Sequence, residues 1–232
     1  MRCALSSNMK LEKPMNIKDR SKLKGRVELF FTKGKPVIHR GKLLSNTNGH
    51  KIYDSSFLDF RNTEIIKSFD LMNIIVDQGK DEWIKSLTTG FVNVIARMAI
   101  GDRGTLPSDS TIPKVPTADR VALYNETYRD DIDVTSLNIG TPGVHEIQFT
   151  NTFASTDVPI TSFSNQTNPV VNEVGLILCD LLSGNPLPRP PVAYPGINDA
   201  DEKLFSIRTF KSVPFEAAND INVTVRYTIF LE

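Results

Sequence analysis

The strongest constraint on the fold is a strict two-residue alternation near the end of the chain. Apolar side chains occupy every second position from Ile221 to Leu231, whereas most positions between them carry Asn, Thr or Arg. Successive side chains of a β-strand point to opposite faces, so this pattern predicts a strand with one buried face. The same alternation recurs at 146–153 and 173–178, and 204–210 is a further predicted strand. Short strands of this kind predict an antiparallel β-sandwich, either jelly-roll or immunoglobulin-like.

One segment changes from the strand period to the helical period. After Lys80, apolar residues recur three or four positions apart, which predicts an amphipathic helix near residues 80–96 that packs on a sheet. Gly90 costs about 1 kcal/mol relative to Ala in a helix, so the helix is expected to weaken there. The apolar positions of this helix are Trp83, Ile84, Leu87, Phe91, Val94 and Ile95.

The first 70 residues are predicted to form a separate unit, and residues 71–232 the sandwich domain. Residues 1–25 read as a polar arm that a partner could order. Val27–Thr32 then predicts a strand, and Val37–Arg40 its return after a Gly-Lys-Pro turn. We therefore expect an extended basic N-terminal arm and a hairpin that serve for attachment.

The net charge of zero hides a strong asymmetry. Residues 1–42 hold twelve Lys or Arg and three Asp or Glu, so they carry +9, and the remainder carries −9. A basic head on an acidic body suggests that the head docks on another copy or on an acidic partner. Direct DNA contact is the weaker interpretation because no stacking aromatics are interleaved before Phe30. The cations expected at this interface are Lys18, Arg20, Lys22, Lys24 and Arg26.

No pattern in the sequence indicates catalysis, a cofactor or a metal site. The three histidines show no metal-ligand spacing, and no nucleophile elbow or phosphate-binding loop occurs. We therefore predict that the chain is not an enzyme, although its many carboxylates leave a glycosidase pair open. Two acidic runs could gather Ca²⁺, but solvated loops are the favoured interpretation of both. Their members are Asp130, Asp131 and Asp133, and Asp199, Asp201 and Glu202.

The apolar runs, the first residues and the two cysteines bear on membrane insertion, secretion and disulfide formation. No run of eighteen apolar residues occurs, so no membrane-spanning helix is expected. The first residues lack the apolar segment of a secretory signal. Cys3 and Cys179 suit neither a zinc ribbon nor a small disulfide scaffold. The favoured interpretation is one buried thiol in a strand and one free thiol on the arm, with a bond between subunits as the alternative.

The order of several short motifs resembles that in virion proteins of tailed bacteriophages. Each motif is weak alone, and their order over residues 70–232 carries the resemblance to the neck, collar, tail and baseplate-fibre groups. The motifs are NIIVDQGKD before the helix, MAIGD at 98–102, LYNETYR at 123–129, NEVGL at 172–176 and LFSIRTF at 204–210. The resemblance implies a non-enzymatic β-sandwich building block, present in several copies in a virion, whose partners are its own copies and other virion proteins.

The same motifs place charged residues beside an apolar strand. Glu173 is expected within reach of Arg129 or Arg208, where it either fixes strand register at the sheet margin or contacts a neighbouring subunit. The leading hypothesis is a structural subunit of the neck, collar, tail or baseplate. The alternative is a receptor- or carbohydrate-binding tail-fibre module. That function needs exposed aromatic residues, whereas the single tryptophan, Trp83, lies on the apolar face of the predicted helix.

Overall fold

Strands dominate the structure, as the alternation predicts. A computed structural model describes residues 23–47, 49–88, 93–138, 146–180, 189–196 and 202–231. These residues form seventeen β-strands and one α-helix, α1 (Asp77–Thr88). The strands are β1 (Leu23–Lys33), β2 (Val37–Arg40), β3 (Leu43–Thr47), β4 (His50–Tyr53), β5 (Ser56–Asp59), β6 (Glu64–Met72), β7 (Ile74–Ile75), β8 (Asn93–Gly101), β9 (Thr105–Leu106), β10 (Asp109–Pro113), β11 (Glu126–Asp131), β12 (Val134–Asn138), β13 (Glu146–Ala154), β14 (Val170–Asp180), β15 (Val192–Ala193), β16 (Glu202–Pro214) and β17 (Ile221–Leu231).

Two large sheets share one core. Within the described residues, a seven-stranded sheet has the order β3-β4-β12-β13-β17-β1-β6, and a six-stranded sheet has the order β15-β11-β8-β14-β16-β7. Neighbouring strands are antiparallel except β4 and β12. One buried apolar cluster joins Val27, Leu29 and Val225 of the first sheet to Met98 and Leu176 of the second. Two sheets that bury their facing sides together are consistent with the predicted β-sandwich.

The final alternating segment forms a strand, as the sequence predicts, but Asn222, Thr224 and Thr228 on its polar face are buried too. Strand β17 pairs with β1 and with β13, so both of its edges are hydrogen-bonded. Val223, Val225 and Tyr227 are fully buried in the shared core. Tyr227 donates its hydroxyl hydrogen bond to the carbonyl of Val174 in the opposite sheet, at 3.1 Å. A buried phenol needs such a partner, and this contact links the two sheets.

The predicted hairpin between 27–32 and 37–40 is wrong. Strand β1 lies between β17 and β6, whereas β2 pairs with β5. Because Val27, Leu29 and Phe31 are all fully buried, this strand gains more by central pairing in the sheet than by a local return. It also begins at Leu23, inside the segment expected to be a polar arm. The expected boundary after residue 70 falls within β6.

The helix is shorter than predicted. It ends at Thr88, and residues 93–96 belong to β8, which pairs with β11 and β14. A short apolar run such as residues 94–96 fits a strand as well as a helix, and the pairing of Val94 and Ile95 with β14 shows that it is a strand here. Gly90 lies outside the described residues. Trp83 packs edge-to-face on Phe205 at 6.5 Å, so the helix does pack on the six-stranded sheet as expected.

Candidate functional site

The predicted interface cations fall into two groups. Lys24 and Arg26 lie in strand β1, within the seven-stranded sheet. Arg26 donates two hydrogen bonds to the Asp70 carboxylate, from Nε at 2.7 Å and from Nη2 at 2.6 Å. These bonds hold the pKa of Asp70 below its usual value. Three of the five predicted cations lie outside the described residues: Lys18, Arg20 and Lys22.

Part of the charge asymmetry is compensated within one chain. Besides Arg26, two further cations of the basic head contact carboxylates of the acidic body. The Nζ atom of Lys33 lies 3.3 Å from Glu64, and that of Lys35 lies 3.4 Å from Asp157. The predicted pairing between copies therefore depends mainly on the residues before Leu23. Those hold six Lys or Arg against two Asp or Glu, a net charge of +4.

Strand β6 forms an open edge beside these charges. It is the terminal strand of the seven-stranded sheet, so its outer side has no strand partner among the described residues. Ile65, Ile66 and Met72 are 47%, 44% and 51% exposed. The register against β1 shifts at Phe31 and Thr32, which places a bulge in β6 near Ile66. An edge strand offers unpaired backbone groups to another strand, and a bulge limits where that strand can pair.

Glu173 occupies a fully buried site formed by backbone donors. Its Oε1 accepts the N–H groups of Asn125 at 2.8 Å and Arg103 at 3.2 Å, and its Oε2 accepts that of Tyr124 at 2.8 Å. Burial raises the pKa of this carboxyl, although the three N–H groups oppose the shift. Gly101 opposes Glu173 in the register of β8 and β14, and its missing side chain leaves room for the carboxylate.

The expected pairing of Glu173 with Arg129 or Arg208 is therefore corrected. No cation lies within ion-pair distance of Glu173 among the described residues, because the two loops around it supply its donors. Arg129 instead contacts Glu126 and Glu202. Arg208 has a buried Nε without a hydrogen-bond partner in the described part of the chain, and burial lowers its pKa. The sequence offers one signal for the Glu173 site, the glycines of Gly101-Asp-Arg-Gly104.

A second buried site joins charged residues on the outer face of the six-stranded sheet. Met98 faces the shared core, so Arg97 beside it on β8 faces away. Glu202 accepts hydrogen bonds from Arg97 at 3.2 Å, from Arg189 at 2.8 Å and from Arg129 at 2.5 Å. Three positive and three negative groups thus balance in what we term the arginine–carboxylate network: Arg97, Arg129, Arg189, Glu126, Asp131 and Glu202.

The network overturns the interpretation of Glu202 as part of a solvated acidic loop. Glu202 is 8% exposed and begins strand β16, while Asp199 and Asp201 lie outside the described residues. Asp131 also belongs to the network, through an ion pair of 3.1 Å with Arg97. In the described residues, no group of three or more His, Cys, Asp or Glu side chains could hold a metal ion.

The structure describes one of the two cysteines and two of the three histidines. Cys179 is fully buried in β14, which confirms the prediction of one buried thiol, and burial raises its pKa to about 12. Cys3 and His145 lie outside the described residues. His39 stacks on Phe57 with ring centroids 4.4 Å apart on the surface.

No protein-family model matches the sequence, and no curated protein is significantly similar to it. Within the described ranges, no helix is long and apolar enough to span a lipid bilayer. The proposals below rest on the sequence pattern and on the geometry of the described residues.

Proposed function

We propose that the chain is a structural subunit of a tailed-phage particle, present in several copies in the neck, collar, tail or baseplate. In this proposal the two sheets form a jelly-roll or immunoglobulin-like sandwich, and an extended N-terminal arm attaches each copy to its neighbours. The observation that carries the proposal is the open edge of β6, a nine-residue strand with exposed apolar side chains. The order of motifs over residues 70–232 supports the assignment to a phage particle.

The position of β1 supports an assembly role for this edge. In the register of the two strands, Arg26 lies opposite Met72, so Leu23 at the start of β1 lies near one end of β6. The basic segment is therefore joined in sequence to the strand that borders the open-edged β6. A head-to-tail contact, in which the segment of one copy binds the edge of the next, generates a ring when the rotation closes. Addition of a strand to an exposed edge is a common mode of peptide recognition.

One observation favours the alternative of a receptor- or carbohydrate-binding fibre module. Phe57 is 59% exposed and stacks on His39, which gives a flat aromatic surface of the kind that binds sugar rings. Trp83, by contrast, packs on Phe205 and is partly buried. A glycan array with wild-type protein and Phe57→Ala tests this alternative. Binding that Phe57→Ala abolishes would favour it over the structural role.

A truncation tests the structural role directly. It should remove residues 1–22 and stop there, because Leu23 begins β1 and pairs with Leu231. We expect the truncated chain to keep its circular dichroism and melting temperature but to lose incorporation into particles, measured by mass spectrometry of purified particles. The edge variant Met72→Lys should reduce incorporation as well, since a charge on an edge strand opposes pairing.

The matched control is Ile160→Lys. Ile160 is as exposed as Met72, at 53%, but lies in a 3₁₀ turn outside both large sheets. We expect this variant to incorporate like the wild type. Normal incorporation of the truncated chain would contradict the proposal, and so would equal effects of the two lysine substitutions.

A further inference from the structure

An apolar cavity lies between the two sheets at the end where α1 packs. Its volume is about 220 Å³, and side chains from both sheets and from the helix form its walls. The cavity is partly open to solvent. For comparison of size alone, an enclosed apolar cavity of about 150 Å³ in another protein binds benzene. This cavity therefore has room for a molecule somewhat larger than benzene. Its apolar walls include Trp83, Ile95, Ile147, Phe149, Phe205 and Ile229.

His50 separates this cavity from a second, polar cleft. The polar cleft measures about 330 Å³ and contains Lys51, Asp131 and Asp133 in its walls. His50 lies in the wall of both spaces. Its imidazole has no hydrogen-bond partner among the described residues, and burial lowers its pKa, so the ring is neutral at pH 7. A neutral imidazole presents one N–H donor and one nitrogen acceptor.

We propose that the apolar cavity binds a small phenol or alcohol, with its apolar body between the sheets and its hydroxyl on the His50 imidazole. A hydroxyl both donates and accepts, as the neutral ring does. A charged group at the same point would lose its hydration beside apolar walls. The polar cleft behind His50 gives the hydroxyl end an approach from water. The site is separate from the β6 edge, so its failure would leave the proposed assembly role unaffected.

The fluorescence of the only tryptophan in the chain can measure binding at this site. Trp83 lies in the cavity wall, so its fluorescence, excited near 300 nm beyond phenol absorption, should respond to occupancy. The probes are p-cresol and toluene, which share a ring and a methyl group and differ by the hydroxyl. We expect saturable binding of p-cresol with a Kd of about 1 mM or lower. Toluene should bind roughly threefold to tenfold more weakly, the value of one net hydrogen bond.

Three variants test the assignment of the site. His50→Leu should remove the preference for p-cresol while toluene still binds. Ile147→Phe should fill the cavity and abolish the binding of both probes, and Ile95→Phe provides a second filling variant should the first unfold. Ile160→Phe makes the same change at an exposed position and should leave binding intact. A fluorescence response that is linear in probe concentration would overturn the proposal, as would equal affinity for both probes or unchanged binding in a folded filling variant.

Discussion

Replacing Glu202 by Gln should strongly destabilise the fold. The substitution keeps the shape of the side chain but removes one negative charge from the arginine–carboxylate network, where Glu202 receives hydrogen bonds from three guanidinium groups. Arg97 and Arg129 are each 3% exposed, so water cannot replace the lost charge. The new amide also places an N–H₂ group, which is a donor, against guanidinium groups that are donors themselves, so at least one hydrogen bond is lost. Loss of one partner from a buried ion pair costs about 3–5 kcal/mol.

Urea denaturation and thermal melting measure this loss. A change of that size should lower the melting temperature by roughly 6–20 °C for a chain of this length. The matched control is Asp70→Asn, which breaks the Arg26 pair on the surface, where the side chains are 46% and 60% exposed. Exposed pairs contribute at most about 1 kcal/mol, so the control should melt close to the wild type.

The pH dependence gives a second readout with a definite sign. Burial opposes ionisation of Glu202, but the hydrogen bonds and charges of its arginine partners outweigh it and hold its pKa below the usual 4.5. The stability that this group contributes is therefore fully present above pH 4.5 and is lost as the pH falls through the lower pKa of the folded state. The difference between wild type and Glu202→Gln should shrink in acid. A difference below 1 kcal/mol, or one that grows in acid, would refute the reasoning.

Two further substitutions test the packing. Gly79→Ala should destabilise the fold by about 1–3 kcal/mol in urea denaturation, despite the higher helix propensity of Ala, because its Cβ would lie 2.6 Å from the backbone oxygen of Phe205. A gain in stability would show that α1 can move away from the sheet. Arg208→Met should raise the free energy of unfolding by about 1 kcal/mol, since it removes a buried Nε that has no partner in the described residues. A loss of stability there would reveal a contact of Arg208 that the structure does not account for.

Strand identity was largely predictable from local patterns. The alternation at 221–231 predicts the side chains that face the core. It does not predict that Asn222, Thr224 and Thr228 on the opposite face are buried as well. The neighbours of each strand were not predictable in the same way. Val27–Thr32 has a nearby apolar segment after a turn, which favours a hairpin locally, yet β1 pairs with a strand almost 200 residues later. Only the packing of the whole core decides between those partners.

The buried polar sites could not be predicted from local sequence. Glu202 and Arg97 are 105 positions apart and meet only because β8, β14 and β16 are neighbours in one sheet. The hydrogen-bond partners of Glu173 could not be predicted either. They are backbone N–H groups, which every residue type except proline carries, so the sequence does not indicate them. Glu173 therefore accepts hydrogen bonds from the N–H groups of two loops in place of the predicted ion pair. Residue types identify which groups need partners, and the strand register determines which partners they find.

The same distinction refines the meaning of the charge asymmetry. The first 42 residues form one cationic stretch in the sequence. In the structure, β1 begins at Leu23, so the residues from 23 onward belong to the folded body. Arg26, Lys33 and Lys35 contact carboxylates of their own chain and are partly neutralised there. In the proposed assembly, residues 1–22 would contribute most of the attraction between copies, because their net charge of +4 has the sign needed to approach an acidic body. The proposed contact would then combine electrostatic approach with strand addition at the open β6 edge of a neighbouring copy.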